Sequence, residues 1–439
     1  MKHMRLLTPL LASFLAGPLL GQSLVNGPMP GYSECLEGIV WLQAKRECKA
    51  TMAYWKEDEP ANVFYSAEVL AEAKNAYALD LIADQVEPGN TYRYRVLLDG
   101  MPVDLPDTLR FRTQPLWKFR SDPPDLTMAT GSCTYINEAA YDRPGKPYGD
   151  GYGIFNSIAD QRPDFMLWLG DNIYLREPDW GTWSGFLHRY THTRSAPELQ
   201  RLLRSTHHYA IWDDHDFGPN DADGSFVNAD MAREAFDLFW PNPPRTAPGV
   251  GGITTAFSYS DVDFFLLDDR SFRVPPDVMT DTATMLGNAQ IDWLIRALKY
   301  SDATFKVVAL GGQFLNSAAV YETYATYPQE RQLLLDRLNK EELRNVVFLT
   351  GDRHHTVLSR LDLPNGLPLY DLTVSPLTSG VHEPKEDNKL AVDGTVVSDR
   401  NFAILRFSGP KKERVLTIAV RDGTGKAIWE KAINAVPAK

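Results

Sequence analysis

Two kinds of hydrophobic patterning divide the chain. From about residue 24 to 115, short runs such as Gly38-Ile39-Val40-Trp41-Leu42 and Ala50-Thr51-Met52-Ala53-Tyr54-Trp55 are separated by polar turns. Runs of this length rich in β-branched and aromatic residues predict strands of a small all-β unit. Glu87-Pro88-Gly89-Asn90 is a turn signal, and the alternation in Thr91-Tyr92-Arg93-Tyr94-Arg95-Val96-Leu97 predicts the strand that follows it.

From about residue 125 the pattern changes. Apolar runs at 126–130, 165–169, 209–212, 264–267, 306–310 and 346–350 each give way to polar residues. Their length and β-branched content predict buried strands. Ile291, Leu294, Ile295 and Leu298 fall at helical spacing, and 331–339 predicts another helix. Strands alternating with helices predict an α/β domain. Further strands are expected at 401–407 and 415–420, and the Pro-rich stretch 241–248 is expected to be a surface loop bordering the site.

Composition narrows the setting. The 439 residues carry a formal net charge of −12, a field that repels polyanions and disfavours a nucleic-acid scaffold or an anionic membrane as partner. Lys2 and Arg5 precede a mainly apolar run to Leu20, and Gly21 offers a small residue before Gln22. This predicts an export signal over 1–21 rather than a membrane span, and a periplasmic or extracellular protein. In such a compartment Cys35 and Cys48 can pair, two buried thiols being the other reading. Cys133 is then left over.

The candidate chemistry gathers where strands end, which is where α/β proteins place their sites. Gly170-Asp171-Asn172-Ile173-Tyr174 follows one run; a carboxylate there has two oxygens and can bridge two cations. Gly351-Asp352-Arg353-His354-His355 follows another, with Asp352 and His354 two apart and hence on one face of an extended segment. Trp212-Asp213-Asp214-His215-Asp216 packs four ionisable groups after a third, and self-repulsion there calls for cations or hydrogen bonds. Each motif alone is ordinary turn or capping chemistry. Together they favour a multinuclear metal site.

In order and spacing the series Cys133, Asp171 and Tyr174, Asp214-His215-Asp216, then Asp352 and His354 resembles the calcineurin-like metallophosphatases, and its substitutions resemble the PhoD-type alkaline phosphatases. Leu267-Asp268-Asp269-Arg270, the segment 286–294 and Thr373-Val374-Ser375-Pro376 are similar as well. The Thr91–Leu97 stretch resembles the late strand of fibronectin type III-like domains. The resemblance implies a metallophosphatase β-sandwich flanked by helices over 119–439, preceded by a small all-β fibronectin- or immunoglobulin-like domain over 22–118. Where related enzymes supply a histidine, this chain has Gln313.

The resemblance also implies iron(III) and calcium as cofactors. Thiolate and phenolate donors suit iron, which assigns Cys133, Asp171, Tyr174 and His354 to it; oxygen donors suit calcium, which assigns Asp171 as bridge, Asp214 or Asn220, and Asp352. It implies an exported hydrolase of small phosphate esters that uses a metal-bound hydroxide or oxide, with His215 as general acid and Arg233 as a phosphate clamp. A phospholipase-type phosphodiesterase and a non-catalytic, calcium-stabilised surface module are the alternatives.

Overall fold

The computed structural model describes residues 24–437, so the expected export signal at 1–21 lies outside the described residues. No helix among the described residues is long and apolar enough to cross a membrane.

The N-terminal part is all-β, as its patterning predicts. Leu24–Ser33, Gly38–Ala44 and Ala78–Ala83 form one antiparallel sheet, while Cys48–Lys56 and Thr91–Leu98 are central in a second. Val40, Leu42 and Leu81 of the first sheet meet Met52, Tyr54 and Tyr92 of the second in a local core. The first sheet is also covered on its other face: Met29, Ile39, Trp41 and Ala78 belong to the core of the larger part of the chain. That double coverage is why Gly38–Ala44 is buried at every position.

The expected Cys35–Cys48 disulfide is not formed; all three cysteines are free thiols. Geometry forbids the bridge. Cys35 lies in the turn joining Leu24–Ser33 to Gly38–Ala44, closed by Glu34 N–H donating to the Glu37 carbonyl at 2.9 Å. Cys48 lies beyond the far end of Gly38–Ala44, a seven-residue strand. At about 3.3 Å per residue that strand separates them by roughly 20 Å, against a Cα limit near 7 Å for a disulfide.

The larger part is built on two six-stranded sheets. In the first, His207–Ile211, Phe165–Leu169 and Leu126–Gly131 run parallel, and Asn401–Ser408, Val415–Asp422 and Ala427–Asn434 continue antiparallel. In the second, Val262–Leu266, Phe305–Ala309, Val346–Thr350 and Pro368–Thr373 are parallel, with antiparallel edge strands Thr255–Tyr259 and Val357–Asp362. All six predicted apolar runs are therefore strands. Successive residues of the second sheet face opposite ways: Phe264, Val307 and Leu349 enter the core shared with the first sheet. Phe265, Val308 and Phe348 meet the helices Gly287–Tyr300 and Pro328–Lys340 on the outside. A strand buried on both faces reads as a continuous apolar run, as these do.

The stretch at 241–248 lies against the end of strand His207–Ile211 and against the first part of the chain. Tyr32 N–H donates to the Pro241 carbonyl at 3.0 Å, and the Asn242 side chain exchanges hydrogen bonds with the backbone of Ala210. The loop seals the junction between the two parts of the chain.

Candidate metal centre at the strand ends

Strand ends converge here because glycines let them. A Cβ on Gly170 would lie 2.6 Å from the Asp213 Cβ, and one on Gly351 would lie 2.6 Å from the Leu169 carbonyl oxygen. Past these glycines and past Gly131, four chemistry-bearing residues take left-handed backbone: Cys133 (φ 63°), Asp171 (51°), Asp352 (63°) and His354 (55°). Such conformations cost of order 1–3 kcal/mol each and persist only where surrounding structure enforces them. The enforcing contacts are identifiable. Asp216, fully buried, accepts from the amides of Asn172 (3.1 Å), Ile173 (3.3 Å) and Asp213 (3.1 Å), tying the Asp171 loop to the Asp214 loop. Ser375 Oγ accepts from His354 N–H at 2.9 Å and donates to Cys133 Sγ at 3.1 Å.

The side chains meet as a result. Tyr174 Oη donates to Asp171 Oδ2 at 2.9 Å and lies 3.2 Å from His354 Nε2, with Cys133 Sγ 3.5 Å from the same Asp171 oxygen. Three overlapping groups each place their ligand atoms within 4.8 Å of one another: Cys133, Asp171 and His354; Asp171, Asp214 and His215; Asp214, Asp221 and Glu322. Asp171 joins the first two, as a bridging carboxylate would, and Asp214 joins the last two. Asp352 stands beside them, its carbonyl accepting from Cys133 Sγ at 3.6 Å.

The electrostatics are those of a site short of positive charge. Burial, then the Cys133 thiol and the neighbouring carboxylates, raises Asp171 well above the usual carboxylate range. Burial pushes the Cys133 thiol up to about 12 and, helped by nearby imidazoles, His354 down to about 4. Burial also raises Asp352 to about 6, with Asp214 adding to it. Burial opposes ionisation of Asp214, yet His215, Arg270 and the Asp221 amide outweigh it. Asp171 Oδ1 and His215 Nδ1 are buried without a hydrogen-bond partner among the described residues. A cation beside Asp171 would answer each of these at once.

The nearby arginines supply only part of that charge. Arg270, fully buried, is paired with Asp213 and with Glu322 (2.8 Å). Arg273 is paired with Glu322, and Arg353 with Glu386 at 2.7 Å. The Leu267–Arg270 motif thus holds the acidic strand ends together. Asp268 accepts from Trp212 Nε1 at 2.9 Å, and Gln290 in the following helix bonds the Asp268 backbone at both its N–H and its carbonyl.

Of the residues singled out from sequence, Cys133, Asp171, Tyr174, Asp214, His215 and His354 come together, with Asp352 adjacent. Asn220 is exposed, and its neighbour Asp221, also exposed, brings a carboxylate to Asp214 and Glu322. Arg233 is exposed on helix Ala229–Phe239, where its charge acts on Asp237 one turn on. Asp216 does not orient the His215 ring as its proximity in sequence suggests; its oxygens are taken by backbone amides. The His215 ring packs against Tyr174, tilted by 34° with 4.2 Å between centroids. Gln313 is not a ligand either: its amide bonds Thr373 Oγ1 (2.9 Å) and Asn316 Nδ2 (2.8 Å). Glu322 lies in a tyrosine-rich stretch that follows no strand, so no strand-end rule marks it. Its one signal is a carboxylate within an apolar segment, Tyr321 to Tyr324.

The family model for the PhoD-like phosphatases matches residues 128–409, and that for a domain of unknown function (DUF7800) matches residues 21–116. Alkaline phosphatase D of Bacillus subtilis (strain 168) is 23% identical over 356 residues, covering 70% of this chain and 58% of that protein. The match therefore spans less than two thirds of that relative's length. Among solved structures, one of PhoD superposes with a TM-score of 0.75 at 18% identity, covering 96% of this chain and 94% of the other. Purple acid phosphatase from yellow lupin (Lupinus luteus) seeds gives 0.70 at 12% identity, covering 93% and 74%. At these identities the structural likenesses speak for the fold: the expected metallophosphatase architecture is present.

Proposed function

The chain belongs to the PhoD-like phosphatase family, and from that premise we propose that it hydrolyses phosphate esters with metal ions held by the strand-end cluster. One observation carries the reading: a thiol, a phenol, a carboxylate and an imidazole from three strand ends meet around Asp171, whose Oδ1 is buried and unpartnered among the described residues. The donors fit iron and calcium. Cys133, Asp171, Tyr174 and His354 offer the anionic and nitrogen donors that suit iron(III). Asp171, Asp214 and Asp352, with Asp221 and Glu322 nearby, offer the oxygens that suit calcium. When bound, such ions activate water and neutralise charge on the phosphoryl oxygens.

The chain's own residues account for the rest. A phosphate ester approaching a protein of net charge −12 needs local positive charge. Because Arg270, Arg273 and Arg353 are paired with carboxylates, that attraction falls to the bound cations. Burial lowers His215 while Asp214 opposes it, and its ring is placed to give a proton to the leaving oxygen. Its position is fixed by the tilted contact with Tyr174 and by its carbonyl accepting from Leu175 N–H at 3.1 Å. A non-catalytic calcium-stabilised module would need neither the thiol nor these imidazoles.

Hydrolysis of 4-nitrophenyl phosphate and bis(4-nitrophenyl) phosphate by purified protein loaded with iron and calcium tests the reading, and the ratio of rates separates monoesterase from diesterase. Folded, metal-replete protein that leaves both esters intact would contradict it.

A further inference from the structure

Immediately before Glu322 stands Tyr321, whose side chain has no part in the hydrolytic cluster. Tyr321 is 70% exposed, and its φ of 49° puts a bulky residue in left-handed backbone. An exposed aromatic is unremarkable in itself, but one held in a costly conformation needs a reason. Three contacts fix this ring. Its own chain is anchored one residue on, where Glu322 pairs with Arg270 and Arg273. One side of the ring rests on the Arg353 guanidinium, 4.5 Å from the centroid, and Arg353 is buried next to Asp352 in the chain. The His382 ring lies 6.1 Å away and nearly perpendicular, at 79°, and His382 N–H donates to the His354 carbonyl at 2.8 Å.

Each anchor thus leads to a residue of the cluster or its chain neighbour: Glu322 to Asp214, Arg353 to Asp352, His382 to His354. What remains exposed is a flat ring beside the centre, with its orientation already set. A preorganised face of this kind loses little entropy when a second ring lies on it. The cation on its inner side draws π density inward and fills the face that a cationic alcohol would use, which leaves the outer side to a neutral, electron-rich ring.

We propose that Tyr321 is a stacking platform for the alcohol part of the substrate, and that the preferred phosphate esters carry a planar unsaturated ring near the phosphate, as in aryl or nucleoside esters. The inference rests on the hydrolytic reading above. Stacking of a base on an aromatic side chain is worth about 1–3 kcal/mol by alanine substitution, or roughly 5- to 150-fold. The test compares kcat/KM of the metal-loaded protein for adenosine 5′-monophosphate, glycerol 3-phosphate and phosphocholine, in wild type, Tyr321→Ala and Tyr321→Phe. Wild type should prefer the nucleotide. Tyr321→Ala should lose kcat/KM on the nucleotide at least about fivefold more than on the other two, mainly through KM. Tyr321→Phe should keep the preference. Equal losses on all three esters, or a preference that survives in Tyr321→Ala, would overturn the platform while leaving hydrolysis standing. No turnover of these three monoesters or of bis(4-nitrophenyl) phosphate by wild type would overturn the hydrolytic reading, and the platform with it.

Discussion

At His215 two roles compete for one imidazole. Its ring lies with Asp171 and Asp214 in a group whose ligand atoms fall within 4.8 Å of each other, which suits a metal ligand, and it packs against Tyr174, which suits a positioned acid. Leaving groups distinguish the two. A nitrophenolate departs with little help, whereas an alkoxide needs a proton, and a general acid typically contributes about 10²–10⁴-fold. His215→Ala should therefore lose far more rate on an alkyl phosphate than on 4-nitrophenyl phosphate, with metal content unchanged; equal losses accompanied by lost metal would make His215 a ligand. At this scale the sequence is legible wherever a residue follows a strand. Cys133, Asp171, Asp214, Asp352 and His354 do so, and all stand in or beside the cluster. It is less informative between chain neighbours: Asp221 joins Asp214 and Glu322, its N–H donating to Asp214 Oδ2 at 2.7 Å, and nothing in the sequence ranks it above Asn220.

Among the elements, the strand Ala78–Ala83 shows how packing onto a second body alters a side chain. Asp80 pairs with Trp41 in the sheet register and faces the larger part of the chain. Burial raises its carboxyl from 3.8 to about 7, only partly opposed by Arg194, and one carboxylate oxygen is buried without a hydrogen-bond partner among the described residues. The sign follows from linkage. Below pH 4 folded and unfolded chains both hold the proton. Between pH 4 and 7 the unfolded chain releases it and the folded chain retains it, so stability falls as pH rises. Above 7 the loss is complete. Asp80→Asn should remove this slope and stabilise the protein more at pH 8 than at pH 4, by about 1 kcal/mol or more. Thermal melts of both proteins at the two pH values check it, and a shift independent of pH would contradict it. Strands and helices of the larger part were legible because burial on both faces leaves continuous apolar runs. The double burial of Gly38–Ala44 was not, since Ile39 and Trp41 look the same whether they face solvent or a second core.

The whole molecule is two packed parts with one shared interior. Arg194 of the larger part sits 4.6 Å from the Trp41 ring and 4.2 Å from that of Trp240, so the N-terminal sheet is built into the wall of the larger core. The Cys35–Cys48 expectation failed at this scale for a related reason: closeness in sequence says nothing of which end of a strand each thiol occupies. The site survived because its elements share one edge of the fold, where parallel strands all end. Everything proposed for that edge depends on cations answering its buried carboxylates and thiol. The most direct test is the rate of 4-nitrophenyl phosphate hydrolysis by the purified protein before and after removal of calcium and iron, with both metals quantified in the same sample. Activity should disappear with the metals and return on adding them back, and a metal-free protein that hydrolyses the ester at the original rate would contradict a metal-dependent centre.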